Sequence, residues 1–193
     1  MGDSEDEALV RQLYARHWRA CELLYEHRQR RQEVVYNAVL GLLRESAAWA
    51  ARDSPTYAEI HFAVRAWDTR ALKRGKGWTP SRRMLLFDFL NGDGRLELTL
   101  FIGPGEQETY RKLLAIAYRH PAVFTVDQET WKGYACIYRR PILTPEEYFG
   151  EGELVLRQHL QQRWRTFQEH DLPTIDAIVK AESWLWDAGA AKG

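Results

Sequence analysis

The sequence predicts an α+β fold, an antiparallel sheet of about four strands packed with helices at both ends of the chain. Three observations carry this. The stretch Trp78–Gly105, WTPSRRMLLFDFLNGDGRLELTLFIGPG, has the pattern of a β-hairpin. Residues 57–66 and 131–139 alternate with period two, as half-buried strands do. Apolar residues recur at helical spacing before residue 50 and after residue 152, so helices and strands are segregated.

In the hairpin, Met84–Leu90 is a run of apolar, aromatic-rich residues. Asn91-Gly92-Asp93-Gly94 then supplies side chains and glycines that tolerate the positive φ of a tight turn. From Arg95 to Ile102 the alternation is strict. Leu96, Leu98, Leu100 and Ile102 point one way, and Glu97, Thr99 and Phe101 the other. Gly103-Pro104-Gly105 ends the strand. Glu106 opens a helix with Tyr110, Leu113, Leu114 and Ala117 on its apolar face, stopped at His120-Pro121.

Residues 1–53 read as a helical hairpin. Asp3 or Ser4 caps a first helix with Leu9, Leu13, His17, Ala20 and Leu24 on one stripe, widened by Val10, Tyr14 and Cys21. The cluster His27-Arg28-Gln29-Arg30-Arg31 marks its C-terminal end or a junction, where cations complement the helix dipole. A second helix carries Val34, Val35, Ala38, Val39, Leu42 and Leu43, runs towards Trp49, and is broken by Asp53-Ser54-Pro55.

An α+β domain is expected over 54–187. Its strands are 57–66, the hairpin, a short one at 123–126 and a better one at 131–139. Thr144 caps a helix with Pro145 at its first position. A longer helix, Glu153 to His170, carries Leu156, Leu160, Trp164 and Phe167 in register. Asp171-Leu172-Pro173 breaks it, Thr174 to Asp187 continues as a last helix, and residues 188–193 read as a frayed tail.

Lys plus Arg and Asp plus Glu each number 27, so the formal net charge is zero. That excludes a protein whose whole surface is built to bind polyphosphate. Cys21 and Cys136 have no CxxC spacing and read as reduced, buried thiols of a cytoplasmic protein. The N-terminus, MGDSEDEALV, lacks the basic and apolar regions of a signal peptide. No run approaches the roughly 18 apolar residues of a membrane span, so no membrane association is expected. Most of the eight tryptophans are expected as core anchors.

Catalytic motifs are missing. Gly75-Lys76-Gly77 lacks P-loop spacing, and Gly103-Pro104-Gly105 is not G-x-G-x-x-G. His17, His27, His61, His120, His159 and His170 are scattered, with no HxxxH or HExxH pair, and His61 is assigned to the polar face of a strand. No metal and no cofactor are expected. A two-carboxylate nuclease site shows as Asp, then (Asp/Glu)-x-Lys on a following strand. The residues two before Lys73, Lys76, Lys112, Lys132, Lys180 and Lys192 are Ala71, Arg74, Tyr110, Thr130, Ile178 and Ala190. None is acidic.

Several segments resemble the region that follows the catalytic core in one branch of PD-(D/E)XK nuclease superfamily proteins of bacteria and phages. They are Ala66-Trp67-Asp68, Gly77-Trp78-Thr79-Pro80, Leu85-Leu86-Phe87-Asp88-Phe89 and the Leu96–Gly105 strand with its helix. Ile137-Tyr138, Thr144-Pro145-Glu146-Glu147-Tyr148 and the stretch from Phe167 to Asp176 continue the likeness, which covers roughly residues 57 to 180. The residues before it resemble the segment that precedes that region. The family's catalytic acid and (Asp/Glu)-x-Lys have no counterpart here, so no active-site residue carries over. The resemblance implies an accessory domain without its nuclease, of a kind associated with phage defence or mobile elements.

Three functional classes follow. The first is a non-catalytic domain binding DNA or RNA through the 65–83 loop. There Arg65, Arg70, Lys73, Arg74, Lys76, Arg82 and Arg83 outnumber Asp68 by six charges, and Trp67 and Trp78 are interleaved as candidate stacking platforms. The second is a protein-interaction module docking on a nuclease or defence subunit, with the C-terminal helices and Trp184-Leu185-Trp186 as the surface. The third is a metal-dependent nuclease with a non-standard site around Asp88, Glu97 and Glu59 on the sheet.

Overall fold

The computed structural model describes residues 5–50, 55–129 and 133–186, and its class is α+β. The sheet is antiparallel with five strands, against the expected four or so. They are β1 (Glu59–Phe62), β2 (Leu85–Gly92), β3 (Arg95–Ile102), β4 (Asp127–Glu129) and β5 (Tyr134–Leu143), in the order β1-β2-β3-β5-β4. The short strand expected at 123–126 lies instead at β4, three residues on the sheet edge.

Asp93 and Gly94 join β2 to β3, both at positive φ (52° and 71°), in the two-residue turn whose twist suits a hairpin. The register sets Phe87 opposite Leu100 and Phe89 opposite Leu98. Leu96, Leu98, Leu100 and Ile102 are fully buried, as their alternation requires. Ile60 and Phe62 of β1 fall on the same face, opposite Phe89 and Phe87. Phe62 stacks on Phe87 and Phe89, and Trp164 packs over Phe89 at 5.5 Å between centroids. These rings are the interior of the molecule.

The N-terminal helical hairpin is not formed. A single helix, α1 (Glu5–Arg44), runs the whole way, kinked at His17 (φ −129°, ψ 26°). No glycine or proline stands between Asp3 and Leu40, and Arg, Gln and Glu are good helix formers. The basic cluster at 27–31 therefore prolongs the helix. Beside it, Arg28 pairs with Asp93 at the hairpin turn, Arg31 Nε donates to Tyr148 O, and Gln32 Nε2 donates to Asn91 O. The helix stops short of Trp49, which forms a β-bridge with Val64. The cap at Asp3 or Ser4, the break at Asp53-Ser54, Trp131 and the tail lie outside the described residues.

Helix α2 (Gln107–Arg119) follows β3 and ends at His120. Helix α3 (Pro145–Gly150) starts at the N-cap expected from its sequence, and the structure adds a capping box: Glu147 N–H donates to Thr144 Oγ1, and Thr144 N–H to Glu147 Oε2. Helices α4 (Glu153–Thr166) and α5 (Leu172–Lys180) are not separated by a break. A π turn, Phe167–Asp171, links them and widens the helix just before Pro173. That relieves the clash a proline ring makes with the preceding turn. The chain then makes a 3-10 turn, Ser183–Leu185, which buries Leu185 and packs Trp184 and Trp186 against the core.

Candidate functional site

Pairing in the sheet determines what its second face presents. His61 stands opposite Asp88, Asp88 opposite Thr99, and Thr99 opposite Arg139. Glu59, two residues before His61, shares the face. The segment between β1 and β2 crosses this face and lays Trp78 on it. The indole meets the rings of His61 at 5.6 Å, Tyr134 at 5.4 Å and Phe101 at 6.4 Å. Gly103 makes the space, because a Cβ there would lie 1.8 Å from Trp78 Cε3.

Beside the indole is a cleft of about 410 Å³ lined by Glu59, His61, Trp78, Asp88, Leu90, Phe101 and Tyr134. Asp88 is at its floor, 2% exposed. Its Oδ1 accepts the Ile60 N–H at 2.9 Å, and its Oδ2 faces His61 Nδ1 at 3.3 Å. The other ring nitrogen, Nε2, lies 3.8 Å from Glu59 Oε2. One donor atom from each of Glu59, His61 and Asp88 lies within 4.8 Å of the other two. Glu97 is on the same face but is paired with Arg139 at 2.7 Å. So Glu59 and Asp88 converge, Glu97 does not, and His61 joins them from the polar face where its strand phase placed it.

The basic segment 65–83 is folded largely onto its own partners. The Arg65 guanidinium donates to Ala47 O and Trp49 O, tying the 3-10 turn Arg65–Trp67 to the chain after α1. Lys73 and Arg83 both grip Asp68, at 2.8 and 2.9 Å. Burial raises the Asp68 carboxyl, but these two cations outweigh it and hold it below its ordinary value. Arg74 makes two hydrogen bonds to the Glu106 carboxylate, at 2.5 and 2.7 Å. Arg82 Nε donates to Gly75 O. Arg70, Lys76 and Arg82 are exposed and form no ion pair among the described residues. Trp67 belongs to the core, 2% exposed, with its indole N–H donated to Asp176 Oδ1.

A third surface is larger than either. Residues 6–30 of α1 are exposed throughout except at Cys21, which is half-buried. Leu9, Val10, Leu13, Tyr14, Trp18, Leu23, Leu24 and Tyr25 are 48–70% exposed. Farther along the same helix, Val35, Ala38, Val39, Leu42 and Leu43 are buried in the body. Leu24 and Val35 are eleven residues, about three turns, apart and so on one side of the helix. From the His17 kink onward the exposed stripe thus prolongs the buried one. The helical spacing of this stripe was legible in the sequence, but that no described element covers it was not. No described helix is long and apolar enough to cross a membrane.

Comparison with protein-family models, curated proteins and solved structures returns no match. The molecule is an α+β protein with a helical arm that no described element covers and a polar cleft on one face of its sheet.

Proposed function

We propose that this chain is a non-catalytic protein-interaction module, that the arm of α1 is its docking element, and that a second copy of the chain covers it. The observation that carries this reading is the exposed stripe of eight large apolar side chains on residues 9–25. Contiguous apolar surface of this kind marks an interaction site. The arm is two helical segments on either side of the His17 kink. Asp6 stands at its tip and Arg30 at its root. Antiparallel pairing of two arms brings each acidic tip beside the other's basic root and opposes the two helix dipoles favourably. A nuclease or defence subunit, the partner implied by the family resemblance, is the competing occupant.

Light scattering on size-exclusion peaks separates the cases. Each chain has a mass of 22.6 kDa, and the parent is expected at twice that in the micromolar range. The double variant Leu13→Asp with Leu24→Asp is expected as a monomer with an unchanged near-ultraviolet spectrum. A monomeric parent that gains mass only with an added nuclease or defence subunit would replace the occupant. A parent that stays monomeric in both settings would end the interaction reading.

Exposed Arg70, Lys76 and Arg82 on one loop support a second reading, DNA or RNA contact through the 65–83 segment. With Trp78 seated on the sheet, this reading calls for phosphate contacts rather than base stacking. Each neutralised phosphate adds about −0.7 to the slope of log affinity against log salt for single strands. Changing Arg70, Lys76 and Arg82 to alanine should flatten that slope in an anisotropy titration. Absence of binding by the parent at low salt would dismiss it.

A further inference from the structure

We infer that the open face of the sheet binds one divalent transition-metal ion, Zn²⁺ or Mn²⁺, through Glu59, His61 and Asp88. The placement follows from strand geometry. Residues 59 and 61 project from the same face of β1, and Asp88 is the cross-strand partner of His61. Their donor atoms lie within 4.8 Å of one another, close enough for small side-chain rotations to bring all three onto a single ion.

The state of Asp88 points independently to a cation. Its carboxylate is almost wholly buried, with 3% of the side chain exposed, and it has no Lys or Arg partner among the described residues. One oxygen is satisfied by the Ile60 N–H, and the other is turned towards His61 and the cleft. A buried carboxylate with only an imidazole beside it is expensive, and a divalent ion supplies the compensating charge. Thr99 Oγ1 donates to the Asp88 carbonyl and holds the strand beneath the site.

The donor set selects the metal. Two carboxylates and one imidazole suit Zn²⁺ or Mn²⁺, whereas Mg²⁺ and Ca²⁺ take oxygen ligands. Three protein ligands at an open cleft leave coordination positions for water or a small anion, as in sites that do not serve structure alone. Trp78, Phe101 and Tyr134 wall that cleft, so such an anion sits against aromatic surface. His159 also lies near two carboxylates, Glu147 and Glu151, but Glu147 is already held by Arg163 and the Thr144 N–H.

Titration of the full chain with Mn²⁺, followed by calorimetry and electron paramagnetic resonance, tests this. One Mn²⁺ per chain is expected, displaced by Zn²⁺ and showing nitrogen hyperfine coupling. Asp88→Asn is isosteric, and Glu59→Gln is at an exposed position that does not hold the fold together. Each should weaken binding by about tenfold or more. His61→Gln should abolish the nitrogen coupling, and His159→Gln should leave affinity and spectrum unchanged. No binding of Mn²⁺ or Zn²⁺ by the parent at millimolar concentration would overturn the site. So would affinities unchanged in Glu59→Gln and Asp88→Asn, or nitrogen coupling lost in His159→Gln instead.

Discussion

Tyr148 Oη donates a hydrogen bond to Asn91 Oδ1 at 2.7 Å, and the two side chains are 1% and 0% exposed. Asn91 uses its remaining groups as fully. Its Nδ2 donates to Gln32 O and Tyr57 O, its N–H to Ala58 O, and its carbonyl accepts from Gln32 Nε2. One buried amide thus joins α1, the approach to β1, the end of β2 and α3. Burial pushes the Tyr148 hydroxyl up to about 12, so it stays a donor at physiological pH. Tyr148→Phe should cost about 1–3 kcal/mol by leaving Asn91 Oδ1 buried and unpaired. Asn91→Ala should cost more, since it also strands the Gln32 and Tyr57 carbonyls. Urea melts measure both, and a Tyr148→Phe midpoint equal to the parent's would refute the hub.

Leu98 and Leu100 have no exposed surface and face Phe89 and Phe87 across the hairpin. Leu→Ala at either should destabilise by about 2–5 kcal/mol. A loss of only a few tenths would mean that the strand phase is wrong.

Gly103 is a test of how Trp78 is seated. A methyl at 103 overlaps the indole, whose neighbours His61, Tyr134 and Phe101 leave it little room to retreat. Gly103→Ala should therefore destabilise by about 1–3 kcal/mol, as overpacking does. Thermal melts matching the parent would show that Trp78 is free to leave the sheet, which would restore it as a candidate base-stacking platform.

Glu147 gives a pH signature. Burial raises its carboxyl, but the Thr144 N–H and the Arg163 guanidinium outweigh that and hold it below its ordinary value. A lowered folded value stabilises the protein above the unfolded glutamate value of about 4.3, and the gain is lost as pH falls through the folded value. Glu147→Gln should cost about 1–2 kcal/mol at neutral pH. The gap to the parent should close in acid. A gap that is the same at neutral and acid pH would show that the carboxylate charge is irrelevant there.

The hairpin, the helix cap at Thr144 and the leucine phase of β3 were legible in the sequence because each is decided by neighbours within a few residues. What failed depended on distance. The cluster at 27–31 looked like a helix end because cations favour that position, yet no residue there stops a helix, and partners such as Asp93 and Tyr148 lie far along the chain. Pro173 looked like a break because a π turn that absorbs it leaves no signal in composition. Asn91 read as a turn residue, whereas the turn proper is Asp93-Gly94 and Asn91 is interior. Of the site, the sequence placed Glu59 and Asp88 on polar strand faces. Their meeting with His61 needs the β1–β2 register, and a long crossing segment separates those strands. The arm's apolar stripe was visible, but only the folded body shows that no described element covers residues 9–25.

Hydrogen exchange at the backbone amides of α1 tests the interaction reading most directly. If a second copy covers the arm, amides of residues 9–25 should be protected at high protein concentration and lose that protection on dilution. Amides of residues 35–43, buried in the body, should stay protected at every concentration. Arm amides that exchange rapidly and identically at high and low concentration would contradict self-pairing. Protection that appears only when a nuclease or defence subunit is added would assign the arm to that partner instead.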